Sequence, residues 1–103
     1  MFKQLHSETF DKEIEKGITL IEFGAKWCPP CRIQEPILEE ISEEYKEKLV
    51  IAKVDVDQEP GLAAKFDIQG VPTMLLFKDG QKVDSLRGLH YIDDIRTKLE
   101  TKI

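Results

Sequence analysis

Ile18-Thr19-Leu20-Ile21-Glu22-Phe23-Gly24-Ala25-Lys26-Trp27-Cys28-Pro29-Pro30-Cys31 is the stretch whose reading decides the fold. Ile18 to Phe23 carries apolar side chains at successive positions, so both faces of the segment are covered and it reads as a buried strand. Prolines suit the first turn of a helix, where a missing N–H costs nothing. Cys28 therefore opens a helix that the spacing predicts to run to Lys46. Ile33, Ile37, Leu38, Ile41 and Tyr45 form its inward stripe, while Glu39, Glu40, Glu43 and Glu44 face water. Pro36 is predicted to kink it.

On the N-terminal side, Ser7 is positioned to cap a short helix that carries Phe10 and Ile14 and stops at Gly17. On the C-terminal side, Leu49 to Val56 repeats the pattern of a strand buried on both faces. A brief helix over Gly61 to Phe66 follows, and then a strand over Thr73 to Phe77. Lys78-Asp79-Gly80-Gln81 forms a hairpin turn into Lys82 to Arg87. A last amphipathic helix uses Tyr91, Ile92, Ile95 and Leu99. Strand and helix alternate, then a hairpin and a helix close the chain. The expected class is α/β, with a central mixed β-sheet flanked by helices on both faces.

The 103 residues are expected to form a single domain spanning 1–103, with a core large enough to stand without staples. The two cysteines sit three apart, too close to tie distant segments together, so a disulfide-framed secreted scaffold is excluded. Net charge is −5, and Lys and Arg are scattered singly. That is the wrong footprint for a nucleic-acid partner. The longest wholly apolar run, Met74 to Phe77, is far below the ~20 residues of a membrane span. With no apolar leader in the first residues, the expected location is cytoplasmic. In such a compartment a lone Cys-x-x-Cys is reactive or metal-binding more often than structural.

Cys28 and Cys31 lie just past the carboxyl end of a buried strand, at a helix N-terminus, where ligands and reactive groups collect in open α/β sheets. Unpaired N–H groups and the helix dipole stabilise a thiolate there, and the thiolate is the nucleophile. Cys28 is expected to be exposed and acidified, and Cys31 to be more buried. Half a zinc site is the competing reading, but zinc takes about four ligands, and only His6 and His90 could add to the pair. Two inert cysteines are the other. Two charges interrupt the buried strands: Glu22, which desolvation would turn into a proton acceptor near neutrality, and Lys53. Either could instead reach solvent from a strand end. Val71-Pro72 opens the next strand, and an X–Pro bond there can be cis or trans.

Taken together, several ordered motifs resemble the thioredoxin family along essentially the whole chain. They are Glu22 to Cys31, Pro36 in the following helix, Ala52-Lys53-Val54-Asp55-Val56-Asp57, Gly70-Val71-Pro72-Thr73, Phe77-Lys78-Asp79-Gly80 and Gly88. The resemblance implies a thioredoxin fold and a thiol–disulfide oxidoreductase that reduces protein disulfides. Cys28 is then the nucleophile and Cys31 the resolving thiol, with a mixed disulfide between them in the cycle. Glu22 replaces the family's buried Asp as proton relay, with Lys53 as its charge partner. Pro72 is expected to be cis. Trp27, Pro29, Pro30, Val71, Gly88 and Leu89 form the surface on which an extended target docks. Three positions depart from the family pattern: Pro29 for Gly between the cysteines, Glu22 for Asp, and Gly24 for an aromatic residue, which is expected to loosen the packing.

The expected redox centre is the Cys28–Cys31 pair with no bound cofactor, since the chain has no Gly-rich dinucleotide fingerprint. Its electrons would come from a separate thioredoxin reductase, and its targets are disulfide-containing proteins. The chain is expected to act as a monomer, away from nucleic acid and membranes. The alternatives within reach are a disulfide oxidant or isomerase, and a thioredoxin-like binding module whose thiols matter for shape.

Overall fold

The computed structural model describes residues 2–103. In chain order its elements are β1 (Lys3–Gln4), α1 (Ser7–Ile14), β2 (Ile18–Gly24), α2 (Pro29–Glu44), β3 (Val50–Asp55), α3 (Pro60–Lys65), β4 (Thr73–Lys78), β5 (Gln81–Arg87) and α4 (Ile92–Glu100). The strands form one sheet in the order β1-β3-β2-β4-β5. β3 runs parallel to β1 and β2, and β4 is antiparallel to β2 and β5, so the sheet is mixed. This is the thioredoxin fold in its α/β form.

Two cores explain why the central strands carry apolar residues on both faces. Leu20, Ile51, Met74, Leu76 and Leu86 pack on Leu38 and Ile41 of α2 and Ile95 and Leu99 of α4. On the opposite face, Ile21, Phe23, Ala52, Val54, Leu75 and Phe77 pack on Phe10 and Ile14 of α1 and Leu62 of α3. Neighbouring residues of a strand point to opposite faces. Glu22 therefore shares the α2 face with Leu20, and Lys53, its Cα partner across β2 and β3, shares that face with Ile51.

Three local expectations are corrected. The N-cap of α1 is His6 rather than Ser7. The Ser7 N–H is taken by Glu59 Oε1 at 3.2 Å, a partner 52 residues away that local spacing cannot reveal. Ile33 is 48% exposed, and the inward position beside it belongs to Gln34. Tyr91 is also exposed, because it is the cap of α4 rather than its first core residue. β1 carries no apolar pattern; it exists because Lys3 and Gln4 pair with Ala52 and Lys53. α2 continues through Pro36, which contributes no N–H to the ladder. At the hairpin tip, Asp79 and Gly80 take positive φ, and Asp79 binds the Gly17 N–H and the Gly17 carbonyl.

Candidate active site

The carboxyl end of β2 delivers the chain directly to the start of α2. Cys28 is the N-cap of that helix, with Pro29 and Pro30 in its first turn. Neither proline has an N–H, so the first helical donors are those of Cys31 and Arg32. The Cys31 N–H reaches the Cys28 carbonyl at 3.1 Å and the Cys28 Sγ at 3.2 Å. The helix terminus therefore presents a backbone donor directly to the cap sulfur, even with Pro29 in place of the family's Gly. Cys28 and Cys31 are joined by a disulfide, with their Cα atoms 5.3 Å apart.

Burial of the two cysteines runs opposite to expectation. Cys28 is 2% exposed and Cys31 9%. As the cap, Cys28 turns its side chain inward over the helix end to accept the Cys31 N–H and to bond to the second sulfur. Cys31 instead borders a cavity of about 200 Å³, shared with Gln4, Glu22, Gly24, Glu35 and Lys53 among others.

Glu22 is 1% exposed, and its Oε2 has no hydrogen-bond partner among the described residues. Burial pushes its carboxyl up to about 7; the Lys53 ammonium opposes this and the Glu35 carboxylate adds to it. Gly24 lies between this carboxyl and the Cys31 sulfur. A Cβ added there would lie 3.3 Å from Cys31 Sγ and 3.8 Å from the Glu22 carboxyl carbon. A side chain at this position would therefore press on the Cys31 sulfur while meeting the Glu22 carboxyl at ordinary contact distance.

Lys53 acts on Glu22 through its charge, but the direct partner of its ammonium is a third residue. Its ammonium forms an ion pair with Glu35 Oε2 at 2.6 Å. Glu35 was invisible as a site residue because it looks like one more acidic residue on a helix rich in them. It stands four residues after Cys31, and that spacing puts both on one helix face.

The Val71–Pro72 peptide is cis, and Pro72 is buried. The Pro72 carbonyl accepts the N–H of Gly88 at 2.8 Å, and Gly88 has φ of +81°. The two loops carrying Val71 and Gly88-Leu89 are thereby joined. Gln34 adds a second tie: its amide nitrogen donates to the His90 carbonyl at 2.8 Å and its amide oxygen accepts the His90 N–H at 2.9 Å. His90 Nε2 in turn donates to the Arg87 carbonyl. Trp27 is 65% exposed, with its indole N–H held by Asp57 at 2.8 Å. Pro29 and Pro30 are exposed beside it, whereas Val71, Gly88 and Leu89 are half-buried. No group of three or more His, Cys, Asp or Glu among the described residues is arranged to hold a metal ion.

A helix-capping dithiol, a buried carboxyl and a cis-proline loop at one sheet end meet with comparisons that point the same way. A thioredoxin family model matches residues 1–101. The chain belongs to the thioredoxin family. Thioredoxins of Staphylococcus aureus strains Mu50 / ATCC 700699, MW2 and N315 are each 41% identical to it over 91 residues, which is 88% of this chain and 88% of each relative. This thioredoxin-family chain is a thiol–disulfide oxidoreductase and protein-disulfide reductase whose redox centre is the Cys28–Cys31 pair. Its general partners are disulfide-containing proteins and a reductase. Among the described residues, no helix is long and apolar enough to cross a membrane.

Proposed function

We propose that the protein is a general dithiol reductant in which Cys28 attacks and Cys31 resolves. In the reduced form, the Cys28 thiolate attacks one sulfur of a target disulfide. A Cys28–target bond forms, and the other target sulfur leaves as a thiolate and takes a proton. Cys31 then gives its proton to the Glu22 carboxylate and attacks the Cys28 sulfur. The Cys28–Cys31 bond forms, the Cys28–target bond breaks, and the second target sulfur leaves and is protonated. Two electrons and two protons have passed to the target.

The observation that carries this reading is the division of labour between the two sulfurs. Cys28 receives a helix-terminal N–H, which favours its thiolate. Cys31 borders the cavity that also holds the unpartnered Glu22 carboxyl. Trp27, Pro29, Pro30, Val71, Gly88 and Leu89 are assigned as the docking surface, with Val71 offering its backbone to an extended target segment. Pro72 supports that loop against the sulfurs. Re-reduction is assigned to a separate thioredoxin reductase, and the setting to the cytoplasm, where a low-potential dithiol stays reduced. The chain acts as a single domain and as a monomer in this reading.

A Cys31→Ser variant incubated with cell extract tests the reading directly. It should accumulate mixed disulfides through Cys28, while a Cys28→Ser variant accumulates far fewer. A binding module would trap none. Equilibration of Cys28–Cys31 with glutathione separates reductant from oxidant. A potential in the range of thioredoxins, near −270 mV, is expected, and one near the −120 mV of the disulfide-forming enzymes would overturn the reductant assignment.

A further inference from the structure

Cys31, Glu22, Lys53 and Glu35 line one cavity, and the ion pair there has an unexpected partner. Lys53 and Glu22 are Cα partners across β3 and β2, yet the Lys53 ammonium is bound to Glu35 at 2.6 Å. Glu22 is buried at 1% exposure with one carboxyl oxygen unpartnered among the described residues. Lys53 and Glu35 keep partial exposure, 25% and 34% at their side chains, so the pair forms the wetter side of the cavity and Glu22 the drier.

We propose that Glu35 is a positioning residue for the resolving step: by holding the Lys53 ammonium, it denies Glu22 a direct counter-ion and keeps that carboxyl basic enough to take the Cys31 proton. This rests on the role of Glu22 proposed above. An ordinary Glu, near 4.5, is about four pH units too weak to accept a proton readily from an ordinary Cys thiol near 8.5. Contact with Lys53 would drive Glu22 further in that direction. The burial that raises the Glu22 carboxyl, and the sign of the Glu35 contribution to it, agree with the geometry.

The other groups around Glu22 do not replace this arrangement. From β4 its Cα partner is Met74, which carries no charge. Arg32 on α2 lines the cavity but donates to the Lys26 carbonyl at 2.8 Å. Asp55 at the end of β3 accepts the N–H groups of Asp57 and Gln58. Lys26 lies exposed on the loop before Cys28. Cys28 and Cys31 are joined to each other in the oxidised form.

The test follows the Glu22 carboxyl by carbon-13 NMR titration of the oxidised protein, alongside the pH dependence of insulin-disulfide reduction. In Glu35→Gln the Glu22 midpoint should fall by about one pH unit, a tenfold change in acidity, and the pH–rate profile should move with it. Glu35→Asp, which keeps the charge, should restore most of the shift, and Lys53→Met should move the midpoint upward. A merely structural role for Glu35 would change stability without moving the midpoint in this direction. An unmoved or raised midpoint in Glu35→Gln overturns the proposal, as does a Lys53→Met protein with an unchanged one. Glu22→Gln separates the two levels. If its pH–rate profile matches the wild type, the relay reading itself fails. If Glu22→Gln flattens the profile but Glu35→Gln leaves it in place, only the role of Glu35 fails.

Discussion

Glu22 is the one charged side chain in its strand, and its cost to the fold follows from its burial. Its midpoint near 7 in the folded chain lies above the 4.5 of an ordinary Glu. Between those values the unfolded chain releases the proton while the folded chain retains it. Stability from this group is therefore full below about 4.5 and falls as pH rises through 7. Relative to Glu22→Gln, the oxidised wild type should lose about 2–3 kcal/mol of unfolding free energy between pH 5 and pH 8. Urea titrations of both proteins at the two pH values check this, and parallel pH profiles would contradict it. The existence of an odd carboxyl was legible because it broke an apolar run. Its actual neighbours were not, because Glu35 reaches the site only when α2 lies across β2 and β3.

At the scale of elements, α2 does more than carry the cysteines. Its N-terminus offers Cys28 a backbone donor in spite of two prolines, and its next turn buries Gln34 against the loop before α4. Periodicity assigned the inward position to Ile33 because an isoleucine suits a core better than an amide. The fold chose Gln34 because the His90 N–H and carbonyl need partners there. Replacing Gln34 by Leu keeps the volume but leaves both backbone groups unpaired. It should cost about 1–3 kcal/mol in urea unfolding and speed exchange of the His90 amide hydrogen. Ile33→Ser, on the exposed side of the same helix, should stay within about 0.5 kcal/mol of wild type.

For the whole molecule, the sheet divides the interior into two cores, and the site lies over only one of them. Phe10, Phe23, Phe66 and Phe77 hold the other, with ring centroids 5.2 to 6.4 Å apart. Phe10 is wholly buried. Phe10→Ala should cost about 3–5 kcal/mol, which calorimetry would read as a large drop in Tm. Where the protein stays folded, reduction of insulin disulfides per folded molecule should change less than twofold, since Phe10 lies across the sheet from the dithiol. A proportionate loss of rate in the folded protein would show that the two faces are coupled.

The order of elements from α1 to α4, the placing of Cys28 at a helix start and the oddity of Glu22 were all determined by the sequence alone. Each depends on short-range properties: apolar periodicity, proline's missing N–H and a charge in an apolar run. The tertiary structure decided what long-range contacts decide. It gave Lys53 to Glu35, turned Cys28 inward and opened Cys31 to the cavity. It also gave the α1 cap to His6, with Glu59 taking the next N–H, and buried Gln34 in place of Ile33. These outcomes turn on which polar groups meet after folding, and a buried donor or acceptor binds the partner that packing brings to it, however far away in the chain that partner lies.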